Sequence, residues 1–130
     1  MLSLPKSILN KIHILVDENP DAIVSLIDSD GLYRYISPST TAILGYSQQD
    51  RENALGTYYT GYTHPDDITH AALRFEDAIL NDKSVVTTRR IRRKNGDYLR
   101  MRGTTRKLVD PQSGEVYLLQ IGRPAEVQET

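Results

Sequence analysis

Residues 85–109 read VVTTRRIRRKNGDYLRMRGTTRKLV, two strand-like runs flanking Lys-Asn-Gly-Asp. Asn-Gly between such runs is the strongest short-range hairpin signal, because both residues tolerate positive φ. The side chains alternate across the turn. Ile91, Leu99, Met101 and Gly103 share one parity, and Arg90, Arg92, Arg100 and Arg102 share the other. Alternation sends the two sets to opposite faces of a sheet, one covered and one solvated. A second turn, DPQSGE, leads into VYLLQIG and extends the hairpin to a meander. That meander excludes an all-helical fold and a purely parallel sheet.

The N-terminal half predicts the remaining elements. Residues 4–18 read as a helix, with Pro5 in the first turn and Ile8, Ile12, Leu15 and Val16 at helical spacing. Its apolar stripe is narrow yet too apolar for water, which predicts a homodimer through this helix. AIVSLID (22–28) and LYRYIS (32–37), joined by SDG, form a second hairpin. SPSTTAILGYS predicts a short helix with Ser37 as N-cap, Pro38 at its first position and Gly45 at its end. QQDREN reads as a loop or one helical turn. HPDDITHAALRFEDAILND is the long helix, with Ile68, Ala71, Ala72, Phe75, Ala78 and Ile79 on one face. Two hairpins separated by a helical excursion make an α+β fold. It has a five-stranded antiparallel sheet with helices packed on one face, plus the N-terminal amphipathic helix.

Several function classes fall away. The chain has no cysteine, which removes disulfides, thiol nucleophiles and thiolate metal sites. No apolar run approaches the ~20 residues of a membrane span, and MLSLPKSILNK lacks a signal-peptide core, so a cytoplasmic location is expected. Residues 83–107 hold ten of the sixteen basic residues against Asp97 alone. Nucleic-acid binding is the sharper reading of that run. A solvated or protein-facing sheet surface is the plainer one and the one preferred here.

No catalytic or metal constellation is evident. His13, His64 and His70 lack metal-ligand spacing, and no serine has a nucleophile's context. Asp66 and Asp67 suit a helix start better than acid–base work. An enzyme is not expected. In TYYTGYTHPDD, Tyr58, Tyr59 and Tyr62 concentrate much of the aromatic content ahead of the long helix. They either line a pocket, offering apolar walls with hydroxyl tips, or simply fill a core with one Phe and no Trp. Both readings stand.

The chain resembles a PAS domain. NPDAIVSLIDSDGLYRYISPSTTAILGYS is similar to that family's opening, THPDD to the start of its long helix, RIRRKNGDYLRMRG to its hairpin, and DPQSGEVYLLQIG to its last strand. It departs at Arg100, where many members carry Trp, and at GRPAEVQ, where many carry an Asp-Thr ending. The resemblance implies a domain over 19–123, preceded by the helix of 1–18 and followed by a tail or linker at 124–130. It implies a sensory module of a signalling protein, such as a histidine kinase of a two-component system or a cyclic-dinucleotide cyclase. Dimerisation through the N-terminal helix and sheet face fits that role, and so does a small molecule held between sheet and helices. The alternative is an apo module for dimerisation or docking. The expected ligand walls are Tyr58, Tyr59 and Tyr62 on one side and Ile91, Leu99, Met101 and Gln120 on the other, with Gly103 and Gly122 leaving volume. Arg89 shares the inward parity but is expected to reach back to solvent. Photochemical flavin and cinnamoyl members need a cysteine, and only His70 lies on the helix that offers haem a ligand. No cofactor is expected, and the protein should be colourless.

Overall fold

Asn95-Gly96 closes its hairpin as predicted. Gly96 takes φ +95°, and Asn95 Oδ1 accepts the Asp97 N–H at 3.1 Å. The flanking strands, β3 (Val85–Arg92) and β4 (Tyr98–Val109), pair antiparallel with Ile91 opposite Leu99 and Arg89 opposite Met101. β5 (Val116–Pro124) continues the meander, and the first hairpin, β1 (Ile23–Asp28) with β2 (Tyr33–Ile36), joins through β1–β5 pairing. The sheet is antiparallel throughout, in the order β2-β1-β5-β4-β3. The computed structural model describes residues 3–125, so most of the predicted 124–130 tail lies outside the described residues.

Between the hairpins lie three helices. α2 (Thr40–Leu44) begins later than predicted, with Ser39 at the N-cap position. Ser37 instead is buried and accepts the Val24 N–H at 2.9 Å, which fastens the loop to β1. Gly45 ends α2 at φ +85°, a conformation that glycine enters without penalty. QQDREN forms a true helix, α3 (Gln48–Ala54), started by a reciprocal capping box between Ser47 and Asp50. The long helix, α4 (Ile68–Leu80), follows two short 3₁₀ turns at Tyr59–Tyr62 and Pro65–Asp67. It buries Ala71, Phe75 and Ala78 against the sheet; Ala72, expected on that face, is exposed.

α1 (Lys6–Glu18) lies on the opposite face of the sheet. Ile8 and Ile12 are fully buried in a cluster with Val24, Leu26, Leu108, Tyr117 and Leu119. Burying each such side chain stabilises by about 1.5–3 kcal/mol. The stripe is therefore covered by this chain's own sheet, which removes the reason for expecting a second copy there. The central strands are covered on both faces, which explains the nearly continuous apolar runs of β1 and β5. On the α4 side, Ile27, Tyr33, Val85 and Leu118 complete a second cluster. The alternating arginines of β4 lie where α1 does not reach: Arg100, Arg102 and Arg106 are exposed on the outer face, whereas Arg92, at the end of β3, is exposed but turns over the Tyr62 ring, 5.4 Å from its centroid.

Candidate functional site

A cavity of about 80 Å³ separates the inner face of the sheet from the α2–α3 segment and the Tyr59–Tyr62 turn. Parity builds its floor. Thr87, Arg89 and Ile91 of β3, Met101 and Gly103 of β4, Gln120 of β5, and Ile23 and Ser25 of β1 all point to this side. Its roof is Ile36, Thr40, Leu44, Tyr46, Asp50, Arg51 and Ala54, with Tyr33 and Tyr62.

Of the residues expected to form the walls, Tyr62, Ile91, Met101 and Gln120 meet in this cavity. Tyr58, Tyr59 and Leu99 do not. Tyr58 is 60% exposed, and its backbone bridges Leu32. Tyr59 packs edge-on against Phe75, at 5.1 Å between ring centroids, and fills the α4 core. Leu99 is half-buried at the hairpin end of β4. The tyrosine segment thus divides between both readings: one ring at the pocket, one in the core and one in solvent. Tyr33 and Tyr46, unmarked in the sequence, supply the remaining aromatic wall. Each meets Tyr62 edge to face, at 6.0 and 5.8 Å. Gly45 carries a readable hint of this, since a left-handed residue reverses the chain and brings Tyr46 back over the sheet.

Arg89 does not reach solvent. Its side chain is 6% exposed because α4 and the Tyr59–Tyr62 turn cover the inner face of β3. The guanidinium donates to Thr63 Oγ1 and, at 3.0 Å, to Gln120 Oε1. It lies over the rings of Tyr59 at 5.5 Å and Phe75 at 5.7 Å. Among the described residues it has no carboxylate partner. Burial lifts the Tyr59 hydroxyl above the ordinary phenol range, with the Arg89 charge opposing it. Gln120 Nε2, Thr87 Oγ1 and Thr40 Oγ1 are buried without hydrogen-bond partners. Such atoms are uncommon in a finished interior, and all three residues line the one cavity.

The roof is anchored to the floor at one edge. The His64 N–H donates to the Arg90 carbonyl at 2.9 Å, and Thr63 bridges Ile91. His64 Nδ1 accepts the Asp66 N–H at 3.1 Å, which sets the approach to α4. Asp67 binds Arg90 through both carboxylate oxygens, at 2.9 and 3.0 Å, and accepts the Arg90 N–H at 2.8 Å. Those bonds lower the Asp67 pKa to about 2.

This arrangement has known counterparts. A family model described as the PAS fold matches residues 33–121. The chain belongs to the PAS family. Among curated proteins it is similar to the basic helix-loop-helix ARNT-like protein 2 of Gallus gallus, 31% identical over 88 residues. That match covers 67% of this chain and 14% of that much longer protein. In fold it is similar to a PAS domain from Colwellia psychrerythraea, with a TM-score of 0.73, 18% identity, and coverage of 90% of this chain and 97% of that one. A PAS domain from a two-component sensor histidine kinase superposes with a TM-score of 0.67 at 16% identity, covering 93% and 100% of the two chains. In this PAS domain the cavity lies between the layers of the fold, and Arg100, in place of the family's Trp, is exposed on the outer face.

Proposed function

We propose that this PAS domain is the sensory module of a signalling protein and binds a small molecule between sheet and helices. Occupancy would be relayed to an output domain, such as a kinase or cyclase, through linker or partner contacts. One observation carries the reading: the cavity is lined by residues whose buried polar atoms find no partner among the described residues, Gln120 Nε2, Thr87 Oγ1 and Thr40 Oγ1, beside an Arg89 with no carboxylate partner among them. Three such groups around one void are costly in an empty protein and useful in an occupied one. A cavity of this size holds a few waters or a ligand of a few heavy atoms, since about 150 Å³ is enough for benzene. The relatives support a regulatory setting, one being a PAS domain of a sensor kinase.

Met101 is 4% exposed and lines the cavity, so Met101→Trp tests the reading. If the void is a binding site, the indole occupies it and the fold loses under about 1 kcal/mol, while thermal protection by cavity ligands disappears. Loss of more than about 3 kcal/mol, with no ligand protecting the wild type, would identify a packed core instead.

A second reading is favoured by the outer sheet face. Arg100, Arg102 and Arg106 are exposed there near Val86, which is 46% exposed. A module that only docks or dimerises through that face would lose its partner on Arg100→Glu and Arg102→Glu, and would ignore Met101→Trp.

A further inference from the structure

Arg89 brings a full positive charge into the interior, and among the described residues none of its contacts is negative. An unpaired buried guanidinium is costly, and its partners here, Thr63, Gln120 and two aromatic rings, are all neutral. Of its five N–H donors, the described residues accept from only two nitrogens, and the cavity lies alongside. Two further buried groups on the same inner face, Gln120 Nε2 and Thr87 Oγ1, can also donate. We propose that the cavity takes a small organic monocarboxylate, with its head group on Arg89 and its short apolar body against Ile36, Leu44 and Met101. This rests on the reading of the cavity as a ligand site.

The class follows from charge, shape and room. A carboxylate matches the planar fork of a guanidinium, and Arg89 is the cation buried on the floor, while on the roof Arg51, its Nε buried without a partner, lies next to Asp50. A dianion such as phosphate would bring a second charge into walls that are otherwise largely apolar. At about 80 Å³ the cavity limits the body to a few carbons. The approach is also suited to an anion. Tyr46, Asp50 and Tyr62 belong both to the cavity and to an outer hollow lined by Arg92, Arg93 and Lys94. Asp50, the acid on that route, is held by Lys94 at 3.0 Å. Arg93 is likewise paired with Asp97 at 3.4 Å, so Arg92 supplies the excess positive charge at the mouth, an attraction for anions that weakens as salt rises.

Acetate, its neutral isostere acetamide, and inorganic phosphate test this on the full chain by calorimetric titration. Met101→Trp reports whether any binding is in the cavity. Acetate is expected to bind at least about tenfold tighter than acetamide, and to lose affinity below its own pKa. Phosphate should fail to compete, and Arg89→Met should abolish the preference for the charged probe. If Arg89→Met does not fold, the wild-type comparison of acid and amide still decides. Equal or tighter binding of acetamide, removed by Met101→Trp, would overturn the carboxylate inference while leaving the cavity as a ligand site. Competition by phosphate at equal concentration would overturn it too. Failure of acetate and acetamide alike to bind in a Met101→Trp-sensitive manner would sink both readings.

Discussion

Gly103 and Gly122 face each other across β4 and β5, but a side chain would meet very different surroundings at the two. A Cβ on Gly103 would lie 2.3 Å from the Ile121 carbonyl oxygen and 2.7 Å from the Gly122 Cα, so the strands must part to admit it. On Gly122 the nearest atoms are the Arg102 carbonyl at 3.7 Å and Met101 Cε at 3.8 Å, which is ordinary contact. Gly103 is therefore required by close strand approach, not by the need for ligand space that its parity implied. Gly103→Ala should cost about 1–3 kcal/mol in urea unfolding and Gly122→Ala under about 1 kcal/mol; equal costs would contradict this. Asp67 adds a pH prediction. With its pKa lowered to about 2 from the ordinary 3.8, its bonds to Arg90 stabilise the fold above the unfolded pKa. That contribution is lost as pH falls through about 2. Asp67→Asn should lower the melting temperature by a few degrees at about pH 6, and the gap should shrink toward about pH 2 and close below it. A gap that persists in acid would point to packing instead. At this scale the sequence carries parity reliably, and parity turned Ile91, Met101 and Gln120 inward. It does not say what lies above a strand, and so the burial of Arg89 was not legible.

At the scale of elements, α1 illustrates both what a pattern contains and what it omits. Helical spacing of Ile8, Ile12 and Leu15 marks an amphipathic helix, and the stripe states that an apolar surface must cover it. Nothing in the spacing says whose surface, and the sheet of the same chain supplies it. Ile12, fully buried, and Ile14, 57% exposed, give an internal comparison. Ile12→Ala should cost about 2–4 kcal/mol in urea unfolding, and Ile14→Ala less than about 0.5 kcal/mol. Similar small effects would mean that α1 is not docked in solution. The short helices were harder to read. Ser37, suited by type to an N-cap, is taken by the Val24 N–H, and the long-range bond displaces the helix start to Ser39. α3 has little apolar character, and its Ser47–Asp50 capping box with Asp at the third helical position sets its start.

For the whole molecule, the turn signals gave the first hairpin and the meander but not which edges join them, and the β1–β5 pairing is seen only in the fold. The cavity had no comparable signal. Its aromatic wall comes from Tyr33, Tyr46 and Tyr62, three segments that meet only in the fold, and a void is defined by atoms that are missing. The central claim is that this void is a binding site. It is tested most directly by methyl NMR of the Met- and Ile-labelled protein against a mixed set of charged and neutral fragments. Met101, Ile91, Ile36 and Ile23 line the cavity, while Ile14 is exposed on α1 and serves as the control. Fragments that bind should shift those four methyl signals together, saturably, and leave Ile14 unmoved. No concerted shift across the set, or shifts confined to residues outside the cavity, would contradict it.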